Sequence, residues 1–443
     1  MDFVVRRGDR LYLGEKEFRF ISFNIPDALY SSYADIPTLF PTPAYEQEDL
    51  IRGLSRIGCT VARLYCLSIP GEGVDIPPWN CFVQKPGELY SEDYFLAFDK
   101  LLEICGRYGM RLIFPFVDRY KFIGGVADYA ACRGREDDAF SPGFYTDPRV
   151  IQDFKDVITR VLTRVNAYTG VAYRDDPAIL AWETGNELYH DTLYDGWAAE
   201  IAAHIKSVDQ NHLVLDGFYG VRGPALTDPN IDIVSTHMYP FHAPDFIKEA
   251  DTWHNVAAGK KPFIVGEFGF KTIAELEPFL QHVVDSPITG AMVWSLRQHS
   301  VYGGIRHHRE NETYCTYHIP GYTENDVYEE KTLVSLISRM SHRINGTQAA
   351  ACQPDPPFLL PILSAENIRF LGSTGAERYI LERMTDKAEG FFVVRRDITD
   401  GAPEGAPYCA DPEGRGVRYY RVRAVSGSRI SAPSNIQRFD GGD

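Results

Sequence analysis

The chain has 443 residues, 44% hydrophobic and 24% charged, which is enough apolar material for a large buried core and excludes a disordered or low-complexity polymer. Lys and Arg number 45 against 61 Asp and Glu, and the resulting net charge of −16 repels phosphate backbones and anionic headgroups, so no nucleic-acid partner is expected. No run approaches the roughly 18 uninterrupted apolar residues of a bilayer span, so no membrane partner is expected either, whereas a neutral sugar is indifferent to the field and can stack on aromatic side chains.

The N-terminus, Met1-Asp-Phe-Val-Val-Arg-Arg-Gly-Asp-Arg10, has no apolar signal core. The expected location is therefore cytoplasmic if Met1 is the native start and extracellular if a leader was trimmed. From residue 18 to 346, short β-prone runs alternate with segments of helical period, the pattern that lays helices over parallel strands. Strands are expected at 18–25, 60–66, 111–118, 179–187, 212–217, 232–240, 262–269 and 290–296. Helices are expected at 45–57, 92–108, 148–166, 193–208, 245–258, 273–284 and 326–344, with the crossover after Gly217 the weak one. In 148–166, Val150, Phe154, Val157, Ile158, Val161 and Leu162 recur at three- and four-residue steps and form one stripe to lay on a sheet. Eight such units predict an α/β fold, a (β/α)8 TIM barrel over 1–346, with its site where the strands' C-terminal ends meet the following loops.

Residues 347–360 are Pro-rich and read as a linker. Beyond them, period-two stretches such as Tyr420, Val422 and Ala424 against Arg421 and Arg423 predict a small all-β sandwich domain over 361–443. Its run Tyr419-Tyr-Arg-Val-Arg-Ala-Val-Ser-Gly427, followed by Ser431-Ala-Pro-Ser434, resembles the last strands of a fibronectin type III domain. Eight cysteines, Cys59, Cys66, Cys81, Cys105, Cys132, Cys315, Cys352 and Cys409, form no C-x-x-C pair and have no metal-like histidine spacing. An even count permits disulfides, but in a chain this large free thiols are the expectation, and no zinc site.

The sharpest chemical feature is Ile179-Leu-Ala-Trp-Glu-Thr-Gly-Asn-Glu187, an apolar run that ends abruptly in polar groups at the mouth of the barrel. Pro262-Phe-Ile-Val-Gly-Glu267 ends the seventh strand in the same way. Strands four and seven face each other across a barrel, so Glu187 and Glu267 can point at one substrate. Glycosidic cleavage needs a proton donor to the leaving oxygen and a carboxylate for the anomeric carbon; a gap of about 5 to 5.5 Å makes the second a nucleophile and the outcome retention. Such a pair needs neither metal nor organic cofactor. The two roles call for different environments, since the acid must hold a proton near neutral pH while the nucleophile stays ionised. Arg63, a cation inside the second strand run, is expected to pair with a carboxylate at the mouth and to keep Glu267 charged. His237 and Tyr239 share one face of strand six, where Tyr239 can donate to Glu267 and His237 can bind a sugar hydroxyl.

These residues carry a resemblance to glycoside hydrolase family 5, and within it to the endo-β-1,4-mannanases. Trp182-Glu-Thr-Gly-Asn186-Glu187 is similar to that family's acid/base motif, and Gly266-Glu267-Phe-Gly to its nucleophile motif. The strings Asp118-Arg-Tyr-Lys-Phe-Ile-Gly-Gly-Val-Ala-Asp-Tyr129, Phe144-Tyr-Thr-Asp-Pro-Arg-Val150 and Asn166-Ala-Tyr-Thr-Gly-Val-Ala-Tyr-Arg-Asp-Asp-Pro177 resemble the mannanase subgroup. The resemblance implies Glu187 as acid/base, Glu267 as nucleophile, Arg63 as its supporting cation, and His237 and Tyr239 as substrate-binding groups. It also implies Asn186 as the partner of the sugar 2-hydroxyl and Trp294 as a stacking floor. Two positions depart from the pattern: Leu188 stands where a proline commonly follows the acid/base, and Tyr120 stands near where mannanases often carry a tryptophan. The expected partner is thus a β-linked oligo- or polysaccharide of the mannan type. The alternatives are an exo-acting β-mannosidase, a β-1,4-glucanase on the same scaffold, and a non-catalytic carbohydrate-binding barrel. The loop 297–328, with Tyr302, Arg306, His307, His308, Tyr314, Tyr317 and His318, is expected to wall a subsite.

Overall fold

The computed structural model describes residues 1–33, 36–71, 77–135, 141–306, 308, 317–318, 329–350, 353–385, 390–401 and 409–441. The chain divides into two compact units: Met1–Ala44 with Cys59–Ser295 and Arg343–Thr347, and Tyr45–Gly58 with Leu296–His342 and Gln348–Asp443.

The first unit contains the eight expected parallel strands: β1 (Phe20–Asn24), β2 (Val61–Arg63), β3 (Arg111–Pro115), β4 (Ile179–Glu183), β5 (Leu213–Leu215), β6 (Val234–Met238), β7 (Phe263–Phe268) and β8 (Gly290–Val293). Their order is β5-β4-β3-β2-β1-β8-β7-β6. The ring closes through a parallel bridge between Leu215 and Ile233, so the sheet is a (β/α)8 barrel. Several strands stop earlier than expected, β2 at Arg63 and β4 at Glu183. Beyond β4 the chain bends at Thr184, with the Thr184 amide on the Leu215 carbonyl and the Asn186 amide on that of Val117. Glu187 therefore lies in the turn after the strand rather than in it.

Helices occupy the other crossovers: α1 (Ala44–Arg56), α2 (Glu92–Tyr108), α3 (Pro148–Leu162), α4 (Tyr194–Val208), α5 (Phe246–Ala257), α6 (Ile273–Asp285) and α7 (Glu330–Asn345). After β5 there is only the five-residue helix Gly223–Thr227. In α3 the expected stripe is the buried face, and Asp147 caps the start by accepting from the Arg149 amide, with Pro148 at the first helical position. Three short strands at Val4–Arg7, Arg10–Leu13 and Lys16–Glu17 precede the barrel. They add Val4 and Leu11 to the core of Phe20, Val61, Ile113, Leu180, Ile264 and Met292.

In the second unit the C-terminal sheet is antiparallel: β9 (Arg378–Thr385), β10 (Phe392–Ile398), β11 (Val417–Ser426), β12 (Arg429–Ile430) and β13 (Gln437–Asp440), with β11 pairing β9, β12 and β13. Tyr420, Val422 and Ala424 point into a core with Leu359, Phe370, Tyr379 and Leu381, as their period requires. A buried polar knot lies in this unit. His299 has Nδ1 2.9 Å from Asp49 Oδ2 of α1 and Nε2 2.8 Å from Asp400 Oδ2, and Thr374 donates to Asp49 Oδ1 at 2.6 Å. Burial works against a charged His299, but the two carboxylates hold it protonated well above the ordinary histidine range. Of the expected wall residues, Arg306, Tyr317 and His318 are buried, and His318 is held between Glu330 and the Arg306 carbonyl. Tyr302 and His308 are exposed, and His307 and Tyr314 lie outside the described residues.

Cys59, Cys66, Cys81, Cys105, Cys132 and Cys409 are free thiols, while Cys315 and Cys352 lie outside the described residues. Among the described residues no helix is long and apolar enough to cross a membrane.

Candidate active site

The mouth of the barrel is organised around Arg63, which is fully buried at the end of β2. Its guanidinium makes a two-pronged pair with Glu183 at the end of β4, Nε to Oε2 at 2.6 Å and Nη2 to Oε1 at 2.9 Å. Nη1 reaches Glu267 Oε1 at 2.8 Å and Asn24 Oδ1 at 3.2 Å, and Nη2 also reaches Asn186 Oδ1 at 2.8 Å. Burial opposes the charge, yet Glu183 and Glu267 hold Arg63 firmly protonated. The expected pairing with Glu267 is thus present, and the stronger fork goes to a carboxylate inside the β4 run.

Glu267, on β7, receives a second donor from Tyr239, whose hydroxyl lies 2.6 Å from Oε2. Glu187 sits in the left-handed backbone region at φ 50°, which costs a non-glycine residue about 1–3 kcal/mol. The amides on either side hold that turn, Asn186 to the Val117 carbonyl at 2.7 Å and Leu188 to the Gly217 carbonyl at 2.8 Å. The Glu187 carboxylate has one partner on each oxygen, His237 Nδ1 on Oε1 at 2.7 Å and the Tyr120 hydroxyl on Oε2 at 2.8 Å. His237 Nδ1 is also 3.4 Å from Glu267 Oε2. One imidazole therefore stands between the two carboxylates, and a Glu187 oxygen and a Glu267 oxygen lie within 4.8 Å of each other.

The titration of this trio differs from a simple split into a protonated acid and an ionised nucleophile. Burial pushes Glu187 up, but the hydrogen bond and charge of His237 outweigh it and bring Glu187 below the ordinary glutamate value. Burial leaves Glu267 above that value despite the pull of His237 and Arg63. Burial lowers His237, and Glu267 and Glu187 together raise it above its usual range. The physical reason is that His237 Nδ1 lies 2.7 Å from Glu187 Oε1 and 3.4 Å from Glu267 Oε2, so one imidazole acts on both carboxylates.

Asn186 is fixed at both ends of its amide, accepting from Arg63 and donating from Nδ2 to Asp118 Oδ1 at 3.0 Å. Asp118 is pushed up to about 7 by burial, against hydrogen bonds from Tyr65 and Asn186. Tyr65 donates to Asp118 Oδ2 at 2.6 Å, and its ring meets Trp294 edge-on at 6.0 Å. Arg63, Asn186, Glu187, His237, Tyr239 and Glu267 thus form one hydrogen-bonded set, and Trp294 joins it through Tyr65. Trp182 is buried and donates to Asp209, a core position.

Sequence reasoning missed Glu183, Asn24, Asp118 and Tyr65, and it read Tyr120 only as a departure from the mannanase pattern, not as a partner of Glu187. For Glu183 and Asn24 a signal exists, because each is a polar group inside an apolar strand run beside an arginine that needs acceptors. Tyr120 follows a strand, and no periodicity fixes where a loop side chain points.

Glu187, His237 and Glu267 are also a donor set of the kind that holds a divalent cation. Both oxygens of each carboxylate already accept hydrogen bonds, and the Arg63 charge lies 2.8 Å from Glu267, which opposes a second cation there. The residues fit acid–base chemistry better than metal binding.

Gly266 lets His237 reach its place. A Cβ at this position would lie 2.8 Å from His237 Nε2 and 3.0 Å from Cδ2, so the ring sits directly against the β7 backbone. Gly266→Ala is expected to drive the ring off Glu187 and lower kcat/KM about 100-fold, the usual result of an ångström-scale misplacement. Steady-state kinetics of the variant check this.

Residues 50–275 match the family model described as GH family 5 beta-mannosidase-like. The chain is 34% identical over 256 residues to a putative mannan endo-1,4-beta-mannosidase 5 of Oryza sativa subsp. japonica, covering 50% of this chain and 48% of that protein. It is 30% identical over 312 residues to mannan endo-1,4-beta-mannosidase 4 of Solanum lycopersicum, covering 61% of this chain and 73% of that protein. The chain spans about half the length of the first curated relatives it matches. Its fold is similar to that of an endo-1,4-beta-mannanase from Rhizomucor miehei, with a TM-score of 0.61 and 21% identity over 78% of this chain and 100% of that one.

Proposed function

Because the chain belongs to the glycoside hydrolase family 5 β-mannosidase-like family, we propose that it is a retaining endo-β-1,4-mannanase acting on mannan-type oligo- or polysaccharides. The observation that carries this reading is the approach of the Glu187 and Glu267 oxygens to within 4.8 Å. That gap has room for a sugar carbon between nucleophile and acid but falls short of the roughly 6.5–9.5 Å that inverting enzymes use to admit a water.

The division of labour follows from the partners. Glu267 is held by the Arg63 guanidinium and the Tyr239 hydroxyl, a cation and a donor that both favour its charged form. Glu187 is bonded to His237, which the two carboxylates raise above the usual histidine range. In the first step Glu187, carrying a proton, gives it to the leaving oxygen while Glu267 attacks the anomeric carbon, forming a mannosyl ester and breaking the glycosidic bond. In the second, ionised Glu187 takes a proton from water, whose oxygen displaces Glu267. Asn186, its amide fixed by Arg63 and Asp118, keeps one N–H for the sugar 2-hydroxyl, a contact that strengthens as the anomeric centre becomes cationic. Trp294 is the floor under the cleaved unit, and His237 and Tyr239 border it.

With Glu187→Ala, turnover of a mannan oligosaccharide is expected to fall about 10²- to 10⁴-fold, the size of a general acid–base contribution. A dinitrophenyl β-mannoside, whose leaving group needs no proton, should still glycosylate the variant and give a burst of dinitrophenol before slow turnover. Rapid-mixing absorbance reads both.

We assign the domains as a catalytic barrel over 1–346, a linker over 347–360 and a fibronectin type III-like sandwich over 361–443. We assign the sandwich the role of a brace. The function is tested by assaying galactomannan beside carboxymethylcellulose and by following the products of mannohexaose. Cleavage of carboxymethylcellulose alone would reject the mannan preference, and mannose as the sole early product would reject endo action.

A further inference from the structure

The hydroxyl of Tyr120 is placed to do more than line the cleft. It donates to Glu187 Oε2 at 2.8 Å, on the oxygen that His237 does not hold. Its ring is backed by the Arg119 guanidinium, 5.6 Å from the ring centroid. The loop that carries it is fixed to the acid/base turn. The Arg119 amide donates to the Asn186 carbonyl at 3.1 Å, Asp118 and Asn186 form a parallel bridge, and the Val126 amide closes onto the Asp118 carbonyl at 2.9 Å. A Cβ on Gly125 would stand 2.2 Å from the Tyr120 carbonyl oxygen, so the loop closes as tightly as a backbone without a side chain allows. Tyr120 is 39% exposed, so the residue also borders solvent at the mouth.

We propose that Tyr120 is a positioning residue for Glu187, holding Oε2 with a permanent hydroxyl donor so that the carboxylate alternates between acid and base without turning away from the cleft. This rests on the assignment of Glu187 as acid/base. His237 cannot do the job alone, since its Nδ1 also lies 3.4 Å from Glu267 Oε2 and it holds only the other oxygen of Glu187. Burial and the neighbouring Glu187 charge keep Tyr120 a phenol far above neutral pH, so it is a donor at every working pH. The other ionisable groups that act on Glu187 are His237 and Glu267 from β6 and β7, Arg63 from β2, Asp118 after β3 and Tyr219 after β5. Against that background the Tyr120 hydroxyl favours ionised Glu187, so its removal makes Glu187 hold its proton to higher pH.

The test is the pH profile of kcat/KM on a β-mannoside for the parent, Tyr120→Phe, Phe122→Leu and Glu187→Gln. Tyr120→Phe keeps the ring over Arg119 and loses only the hydroxyl; its basic limb is expected to move up by about one to two pH units with KM little changed, the worth of one hydrogen bond to a charged group. Phe122→Leu, which alters an exposed neighbouring ring 5.7 Å away, is expected to leave the limb where it was. An unmoved limb in Tyr120→Phe, or a rise in KM alone, overturns the positioning role and leaves Glu187 as the acid, provided Glu187→Gln abolishes the basic limb. A basic limb that survives in Glu187→Gln overturns both the acid/base assignment and the role of Tyr120.

Discussion

Glu267→Ala is expected to lower kcat/KM for a β-mannoside by about 10⁴-fold or more, the scale on which removal of a catalytic nucleophile acts. The loss comes from chemistry rather than unfolding. Glu267 contributes one of the Arg63 bonds, while Glu183 keeps the two-pronged pair and Asn24 and Asn186 keep their contacts. The space vacated beside Arg63 and Tyr239 suits a small anion. Added azide is expected to restore cleavage of a dinitrophenyl β-mannoside and to give an α-mannosyl azide, because it attacks from the face Glu267 occupied. In Glu187→Ala the nucleophile is intact and azide meets the glycosyl-enzyme instead, giving the β-azide. Opposite anomers from the two variants identify which carboxylate is which; the same anomer from both would reject the assignment.

Arg63→Met is expected to be the most damaging single change to the barrel. The side chain is fully buried and satisfies acceptors from β1, β4, the turn after β4 and β7 at once. Removing it leaves Glu183 and Glu267 buried without their counterion, and breaking a buried pair on one side costs about 3–5 kcal/mol. Activity should fall with it, because an unpaired Glu267 takes up a proton and ceases to be a nucleophile. Arg63→Lys keeps the charge but not the fork, since an ammonium cannot make two parallel bonds to Glu183 while reaching Glu267 and Asn186. It is expected to recover part of the stability and little of the activity. Chemical denaturation of the three proteins, with kcat/KM beside it, checks this; equal stability of parent and Arg63→Met would show that the pair contributes nothing net.

The barrel and half of its site were legible because burial writes both in the same script. A parallel strand covered on two faces is an apolar run, and a polar residue that ends or interrupts such a run must be satisfied at the mouth. Arg63, Glu187, His237, Tyr239 and Glu267 all announced themselves that way, and the structure brings them within hydrogen-bond reach of one another. The same rule would have exposed Glu183 and Asn24 had the partners of Arg63 been counted, since a guanidinium has five donors and one carboxylate cannot occupy them all. Tyr120 and Tyr65 were not legible as partners, because loop direction has no period. Nor was the His299 knot, whose members Asp49, His299 and Asp400 are scattered over most of the chain and whose charges only tertiary packing brings together. For a related reason the role of His237 between the two carboxylates was not legible: sequence suggests one environment per carboxylate, whereas His237 Nδ1 lies 2.7 Å from Glu187 and 3.4 Å from Glu267.

The most direct test of a nucleophile and an acid facing each other across one linkage is the configuration of the first product. Proton NMR of mannohexaose hydrolysis, recorded before the anomers equilibrate, is expected to show the new reducing end as the β-anomer, the outcome of two displacements through Glu267. A first-formed α-anomer would mean a single displacement by water and would contradict the covalent role of Glu267.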